Sequence, residues 1–451
     1  MNIRRIFGGA VGALPLAAAL GLGACDTLKS DLLTVQTPDI VTVDKAQSVA
    51  GAQAFYVAGV GDFSRFVGGD RGGSSPLGLN LTGGLLADEL ISSRAGTEPT
   101  DSRSLNPNAF PISTWEQVGN TYVRLLRAER LLVAFPPATG GPAQLALLHA
   151  LQGFTLMVTA EDYCNGVPIW DGKSDDNPVT ATYSTDQLYA MAIAQFDAAI
   201  ALNAGVTTTN LALVGKARAL VDQAKPATLA ANLAAAAALV AAVPTTYVYN
   251  ATFATSGAGL NNAIYNWANG TKNFGAVNRE GGNGLDYVTA KDPRVLIDGT
   301  RVQAGQDGTP SPQLNQYTKT DSPVPVATGI EALLIKAESQ LAAGDNAGFI
   351  VTLNAARATN ATLAASPLTD PGTQTARVDM LFRERGFWMY LTAHRLGDMR
   401  RLIRQYGRGA ETVFPTGAYF KGGAYGTDVT LVPSQTETNN ANWAGCTDKN
   451  P

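Results

Sequence analysis

Stretches with the apolar spacing of an amphipathic helix recur two by two along this chain of 451 residues. Three of them follow a Ser/Thr-x-x-Gln/Glu box, at Thr114, Ser184 and Thr328. In such a box the hydroxyl and the later side chain satisfy the first free backbone groups of a helix. The pattern predicts a mainly α fold. The predicted helices cover residues 114–133, 143–163, 184–200, 211–221, 227–243, 328–343, 349–358 and 375–404.

The predicted helices form pairs joined by short turns, with small residues where partners would cross. The stretch from Ala337 to Ala355, with Gly344-Asp345 at its turn, resembles a tetratricopeptide unit. The full consensus of that repeat does not occur. We therefore expect a tetratricopeptide-like scaffold of divergent helix pairs, not a regular repeat array.

Long segments without helical spacing separate these blocks. Loops of this length in a helical protein are usually functional. The third segment is the richest in aromatic residues, set among Asn, Gly and Thr. The segments are 61–76, 92–111, 245–312 and 407–433.

The charge balance argues against one class of partner. Lys and Arg total 33 against 37 Asp and Glu, which gives a formal net charge of -4. Binding to a nucleic-acid backbone requires a basic face. We therefore expect no nucleic-acid partner.

The first 25 residues have the features of an export signal. Arg4 and Arg5 precede an uncharged stretch at 6–24, which ends in Leu-Gly-Ala before Cys25. This is similar to the lipobox of bacterial lipoproteins, which implies a signal peptide at 1–24, acylation of Cys25 and a lipidated tether at 25–43. A plain transmembrane anchor is the alternative. Asp26 departs from the pattern, since in some proteobacteria that residue retains lipoproteins at the inner membrane.

Two further cysteines, Cys164 and Cys446, would meet oxidising conditions in an exported protein. A disulfide between them is one expectation, and two unpaired thiols are the alternative.

The chain contains no sequence signature of catalysis. Its two histidines, His149 and His394, each lie in a predicted helix without a second His or Cys nearby. G-x-S-x-G, H-E-x-x-H and P-loop motifs do not occur. The carboxylate pairs Asp88-Glu89 and Asp175-Asp176 suit solvated or capping roles better than glycoside hydrolysis. We expect no enzyme activity, no catalytic residue, no metal and no cofactor.

Seven stretches follow one another in the order of a known family's motifs. In them the chain resembles the SusD/RagB family of outer-membrane nutrient-binding lipoproteins. The strongest runs from Arg383-Glu384-Arg385 to Arg401, and the last departs from the family pattern by one extra residue before Glu437 and a missing Pro. The stretches are Cys25, 87–132, 148–168, 291–294, 332–357, 383–401 and 431–442.

The strongest stretch also has a structural interpretation. In a continuous helix Arg395 and Asp398, three residues apart, can form an ion pair, and Phe387 can pack on Leu391. We therefore expect a core and ion-pair signature there.

The resemblance implies one SusD-like domain at 44–451, with irregular insertions at about 61–111, 245–312 and 407–433 forming a loop-rich ligand-binding half. It implies a lipid-anchored protein of a Gram-negative outer membrane, facing the cell surface. Such a protein binds an oligosaccharide and delivers it to a SusC-like TonB-dependent barrel. A peptide-binding or structural surface scaffold lipoprotein is the alternative.

Candidate ligand contacts lie in the irregular segments. Aromatic faces cover the apolar face of a sugar ring, so Tyr265 and Trp267 are candidate stacking residues. Ordinary loop packing is the alternative for each. The polar candidates are Asp70, Arg71, Asn106 and Asn108.

Overall fold

Helices dominate the structure, a computed structural model that describes residues 46–69, 78–105, 111–172, 180–257 and 259–451. The predicted signal peptide, Cys25 and the tether lie outside these residues. The helices are α1 (Val49–Gly68), α2 (Leu79–Leu86), α3 (Glu98–Asp101), α4 (Pro111–Ala134), α5 (Gly141–Asp162), α6 (Thr185–Ala201), α7 (Val206–Gln223), α8 (Leu229–Leu239), α9 (Ala263–Tyr265), α10 (Gly329–Ala342), α11 (Asn346–Arg357), α12 (Ala361–Ala364), α13 (Gln374–Trp388), α14 (Arg395–Arg404) and α15 (Ala410–Val413).

In the described part of the chain, eight short strands pair two by two into antiparallel ladders. The pairs are β1 with β5, β2 with β3, β4 with β8, and β6 with β7. Five of these eight strands lie in or beside the segments predicted to be irregular. The strands are β1 (Leu90–Ser92), β2 (Val167–Trp170), β3 (Thr180–Tyr183), β4 (Val248–Ala251), β5 (Phe274–Ala276), β6 (Ile297–Ala304), β7 (Pro310–Leu314) and β8 (Val324–Thr328).

Consecutive long helices pack on one another and form the scaffold. From α4 to α8 each helix contacts the next, α8 contacts α10, and α10 contacts α11 and α13, while α1 lies against α4. The predicted mainly α, helix-pair fold is confirmed. One hydrophobic cluster extends from Ala52 to Val432 and joins this scaffold to the irregular segments.

Two glycines allow three helices to share one aromatic ring. Phe196 of α6 is fully buried and lies edge-on to Phe154 of α5, with ring centroids 5.2 Å apart. A Cβ atom at Gly153 would approach the Phe196 ring to 2.6 Å, and one at Gly215 of α7 to 2.5 Å. A side chain at either position would require the Phe196 ring or the helices to shift, because the ring fills the space between them.

Two of the three predicted capping boxes begin helices. Ser184 and Gln187 form both bonds of the box at α6, and the Thr328 hydroxyl accepts from the Glu331 amide at α10. The prediction at Thr114 was wrong. Helix α4 begins at Pro111, and the Thr114 hydroxyl bonds to that of Thr82 at 2.9 Å.

The prediction of an irregular insertion at about 61–111 was partly wrong. Residues 61–68 continue α1, and 79–86 form α2. Helix α1 accommodates its glycines because Gly59 and Gly68 face neighbouring side chains at van der Waals distance, so that close packing offsets their weak helix propensity.

The predicted helix at 375–404 is broken. Helix α13 ends at Trp388 and α14 begins at Arg395, with Leu391 and Ala393 at φ values of 54° and 58° between them. The Leu391 amide donates to the Glu89 carboxyl at 2.9 Å, and the Leu391 carbonyl accepts from Asn80 at 2.9 Å. These buried bonds hold the turn. The continuous helix that the predicted Phe387–Leu391 packing required is interrupted, and Phe387 lies against Tyr287, with ring centroids 5.3 Å apart.

The ion pairs of this motif differ from those predicted. Arg395 contacts Asp88, with Nε 2.6 Å from Oδ1, instead of Asp398. Asp398 pairs with Arg385 at 2.8 Å and with Arg401 at 3.3 Å. The helix break turns Arg395 away from α13, towards the segment after α2. The expectation that Asp88 and Glu89 are solvated or capping was therefore wrong, because both are buried at 0% and 1% exposure.

A disulfide joins Cys164, after α5, to Cys446 near the end of the chain, with an S–S distance of 2.01 Å. The Cys164 amide also donates to the Leu431 carbonyl at 2.9 Å. The C-terminal segment is thereby held against the scaffold.

Among the described helices, Gly141–Asp162 (α5) is long and apolar enough to cross a membrane by length and composition. Its apolar window is 72% buried inside the molecule. It is a core helix.

Candidate functional site

A cavity of about 440 Å³ lies where the helix-pair scaffold meets the irregular segments. Its walls come from the start of β4, the end of β8, the first turn of α10, residues 316–318 and the turn between α13 and α14. The volume is within the usual range of small-molecule sites. Four aromatic side chains line it: Tyr247, Tyr317, Trp388 and Tyr390.

The position of the cavity follows from how β8 leads into α10. Strand β8 pairs with β4, where Thr328 lies opposite Val248. Thr328 then caps α10, so Glu331 occupies the third helical position and lies at the wall of the cavity. Two prolines near the start of β8, Pro323 and Pro325, line the same wall and cannot extend a helix or donate to a ladder.

The Glu331 side chain does not complete the capping box of α10. In the box of α6, by contrast, the Gln187 side chain accepts from the Ser184 amide at 2.8 Å. The Glu331 side chain is 1% exposed, and neither of its carboxylate oxygens has a hydrogen-bond donor. A buried carboxylate without donors is costly, and its position therefore requires an explanation.

His394 approaches this carboxylate but does not donate to it. Its Nε2 lies 3.2 Å from Glu331 Oε1, an ion-pair distance. The same nitrogen lies 2.7 Å from Nη1 of Arg218, which can only donate, so Nε2 is an acceptor. The proton therefore sits on Nδ1, which donates to the Thr392 carbonyl at 2.8 Å. Burial, reinforced by the charge of Arg218, lowers the pKa of His394, in agreement with a neutral ring.

Trp388 lines the same cavity. Its indole Nε1 is inaccessible to solvent and has no acceptor. The Arg294 guanidinium lies 5.1 Å from the ring centroid, and Arg294 is itself paired with Asp292 and Glu384. The ring is therefore held in place by fixed charges.

The remaining aromatic groups are anchored through their hydroxyls. Tyr317 donates to the Leu391 carbonyl at 3.0 Å, and Tyr390 donates to the Glu89 carbonyl at 3.0 Å. The Tyr247 hydroxyl donates to the Thr207 carbonyl at 2.9 Å. Because each hydroxyl is occupied, the three side chains are held rigidly. Tyr247 is partly exposed, whereas Tyr317 and Tyr390 are buried.

The predicted site residues that the structure describes, Tyr265 and Trp267, do not line this cavity. Asp70, Arg71, Asn106 and Asn108 fall outside the described residues. Tyr265 is half-buried at the end of α9, and its amide donates to the Asn262 side chain at 3.0 Å. It does not line the cavity.

Trp267 does not present a face to a ligand in this structure. Its side chain is 1% exposed and stacks on Phe274 of β5, with ring centroids 5.7 Å apart. The Arg94 guanidinium lies 5.1 Å from its centroid. The aromatic spacing around 265–274 therefore reflects core packing, the alternative that the sequence left open.

Aromatic residues after α15 form a second cluster. Tyr419 packs on Phe420 and Tyr425, and Phe420 is 47% exposed. The Tyr419 hydroxyl donates to Asp101, and the Tyr425 hydroxyl donates to Glu280. This cluster offers one exposed ring over a buried polar base.

Sequence reasoning identified the cavity only in part. The sequence placed Tyr247 in the aromatic-rich irregular segment, but it indicated Glu331 only as part of a helix cap. Trp388 and Tyr317 lie in segments that carry no ligand motif. A signal existed in the Pro323-Val-Pro325 stretch directly before a helix cap, which favours an extended approach to α10.

The architecture is thus a helix-pair scaffold with an aromatic-lined cavity at its edge. No protein-family model matches the chain, and no curated protein matches its sequence. Solved structures do match. A SusD superfamily protein from Bacteroides fragilis has a TM-score of 0.66 at 14% identity, covering 88% of this chain and 99% of that one. The chain therefore has the SusD fold, as the resemblance predicted.

Two further structures with this fold are described as sugar-binding. Surface glycan-binding protein A from Bacteroides thetaiotaomicron, in complex with laminarihexaose, has a TM-score of 0.64 at 15% identity, covering 89% and 99% of the two chains. A SusD-like carbohydrate binding protein from Bacteroides vulgatus has a TM-score of 0.62 at 12% identity, covering 88% and 97%.

Among the described residues, no group of three or more His, Cys, Asp or Glu side chains is placed to hold a metal ion. The cavity offers aromatic ring surface, in particular from the partly exposed Tyr247 and Trp388. This arrangement suits reversible binding.

Proposed function

We propose that the protein is a cell-surface lipoprotein that captures an oligosaccharide in the cavity beside Glu331 and delivers it to a SusC-like TonB-dependent barrel. The observation that carries the proposal is an aromatic-lined cavity of about 440 Å³ on a SusD fold. A sugar presents apolar ring faces that pack on aromatic side chains.

The same geometry argues against covalent chemistry. Both nitrogens of His394 are already engaged, by Arg218 and by the Thr392 carbonyl. A general base must be free to accept a proton from the substrate. We therefore infer a binding function without catalysis.

Isothermal titration with a panel of neutral oligosaccharides tests the binding step. One stacked ring contributes about 1–2 kcal/mol, so Tyr247→Ala should weaken binding roughly tenfold. Phe420→Ala removes an exposed ring outside the cavity and should leave affinity within about twofold of the unmodified protein. Loss of binding in Phe420→Ala alone would place the ligand at the second cluster. Binding of peptides but of no oligosaccharide would contradict the proposal.

Lipidation and delivery are tested separately. In cells given a labelled fatty acid, the protein should incorporate label, and Cys25→Ser should abolish this. Affinity purification from membranes should recover an outer-membrane barrel with the anchored protein. If the protein with Cys25 intact were recovered as a soluble species without label, the proposed lipid anchor would be contradicted.

A further inference from the structure

We propose that Asp101 and Glu280 form a proton-dependent latch that holds a surface hairpin, residues 417–425, closed against the molecule. The hairpin carries Phe420, the exposed ring of the second aromatic cluster. Release of the latch at higher pH would change how that ring is presented. The inference concerns the hairpin alone and does not depend on which ligand the cavity binds.

The hairpin 417–425 is anchored through two tyrosine side chains. Backbone hydrogen bonds of 3.0 and 3.1 Å join its two arms. The Tyr419 hydroxyl donates to Asp101 Oδ2 at 2.7 Å, and the Tyr425 hydroxyl donates to Glu280 Oε1 at 3.1 Å. Each arm of the hairpin is thereby fastened to a buried carboxyl group of a different part of the chain.

These two carboxyl groups lie within hydrogen-bonding distance of each other. One oxygen of each, Oδ1 of Asp101 and Oε2 of Glu280, is inaccessible to solvent and has no donor from another residue. Ionised carboxylates can only accept hydrogen bonds, so two of them in contact lack a donor. A single proton on the pair supplies that donor and removes one of the two buried charges.

The surroundings of the pair favour this bound proton. Burial raises the pKa of Glu280 well above its ordinary value, and the charge of Asp101 raises it further. Burial also raises the pKa of Asp101, but hydrogen bonds from the Ser92 amide and the Tyr419 hydroxyl limit that rise. The proton therefore resides on Glu280, which donates to the Asp101 carboxylate.

The cations beside the pair are already matched with other carboxylates. Lys421, on the hairpin, is shared by Glu98 and Asp307, and Arg103 is paired with Glu411 at 3.0 Å. The titratable and charged groups around the pair are Asp88, Glu98, Arg103, Asp307, Glu411, Lys421 and the hydroxyls of Tyr419 and Tyr425. Loss of the proton would thus leave two adjacent buried carboxylates, which repel each other. Opening of the hairpin admits water to both and relieves the repulsion.

Trypsin digestion followed by mass spectrometry measures the opening on the unmodified protein. Lys421 is mostly buried between its two partners, so a cut after it requires the hairpin to open. A cut after Lys336, inside α10, requires the scaffold to unfold. We expect the ratio of the first cut to the second to rise roughly tenfold from about pH 6.5 to about pH 9. A constant ratio would overturn the latch.

The other titratable groups of the hairpin keep their protons over this range. Burial lowers the pKa of Lys421, but its hydrogen bonds to Asp307 and Glu98 outweigh that effect and raise it. Burial raises the pKa values of Tyr419 and Tyr425 above that of a free tyrosine. A rise in the ratio is therefore due to the carboxyl pair.

Glu280→Gln supplies the second measurement, because its amide donates to Asp101 at every pH and carries no charge. The ratio should then change by less than about twofold over the same range. Asp101→Asn should behave in the same way, since at most one charge remains in the pair. Asp197→Asn removes an exposed carboxylate of α6 and should retain the full rise. Thermal melting checks that the variants are folded. A full rise in folded Glu280→Gln or Asp101→Asn would overturn the latch.

Discussion

Buried guanidinium groups of α13 and α14 hold together parts of the chain that are far apart in sequence. Arg395 is 6% exposed, and its partner Asp88 is completely buried. Both ends of the guanidinium contact the Asp88 carboxylate, at 2.6 and 2.9 Å. The pair connects α14 to the segment after α2, and the strongest motif of the sequence is therefore structural.

Arg395→Ala should lower the free energy of unfolding by about 3–5 kcal/mol, because it leaves the Asp88 charge buried without a partner. Ligand affinity of the folded variant should change far less. Arg408→Ala is the matched control, since its partner Asp379 is 62% exposed and the pair should contribute at most about 1 kcal/mol. Urea unfolding of both variants measures the difference. An Arg395→Ala variant as stable as the unmodified protein but unable to bind would contradict the structural role.

At the scale of helices, small residues determine where two helices of the scaffold can pack closely against each other. The Phe196 ring occupies the space that side chains at Gly153 and Gly215 would need. Gly119, in α4, is exposed and has nothing within 4 Å of its would-be Cβ. Close packing therefore requires glycine at 153 and 215, whereas nothing around position 119 requires it.

Gly215→Ala should destabilise the protein by about 1–3 kcal/mol, because the added methyl group overpacks the junction of α5, α6 and α7. Gly119→Ala should stabilise it by about 0.5–1 kcal/mol through better helix propensity. Thermal and urea unfolding of the two variants provide the comparison. Similar effects of both substitutions would mean that packing around Phe196 is not close.

Over the whole molecule, buried carboxyl groups determine how stability depends on pH. Burial, partly offset by the Leu391 amide, raises the pKa of Glu89 to about 8. Burial likewise raises the pKa of Asp162 to about 7 and that of Asp101 to about 6. Asp398 behaves differently. Burial raises its pKa, but the charges of Arg385 and Arg401 outweigh that effect and lower it.

Groups with raised pKa values bind more protons in the folded state between their unfolded pKa, about 4, and their folded pKa. The stability that these carboxyl groups contribute is fully present below about pH 4, and it is lost as the pH rises towards their folded-state pKa values, the highest of which is about 8. We therefore expect the free energy of unfolding to fall from about pH 5 to about pH 8. Because the pKa of Asp398 is lowered, this residue affects stability only at acidic pH, where protonation of its carboxylate reduces the free energy of unfolding.

Glu89→Gln imitates the protonated acid and should reduce this fall by up to a few kcal/mol. Asp379→Asn, at an exposed site on α13, should leave the slope unchanged. Urea unfolding at several pH values checks both. An identical slope for Glu89→Gln and the unmodified protein would exclude Glu89 as a contributor.

The sequence by itself determined most of the scaffold. Helical spacing and the boxes at Ser184 and Thr328 are local signals, because caps and amphipathic faces are set within a few residues. For the same reason the helices around 143–163 and 349–358 could be predicted. The order of the motifs then indicated the SusD fold.

Only the tertiary structure decided where Arg395 points, that Trp267 is buried and that Glu331 faces a cavity. Each outcome depends on groups distant in the sequence: Asp88 for Arg395, Arg94 for Trp267, and the turn before α14 for Glu331. A local pattern specifies that a side chain is apolar or charged. Which partners surround it is fixed when separate elements pack, and that packing both broke the predicted long helix and created the candidate site.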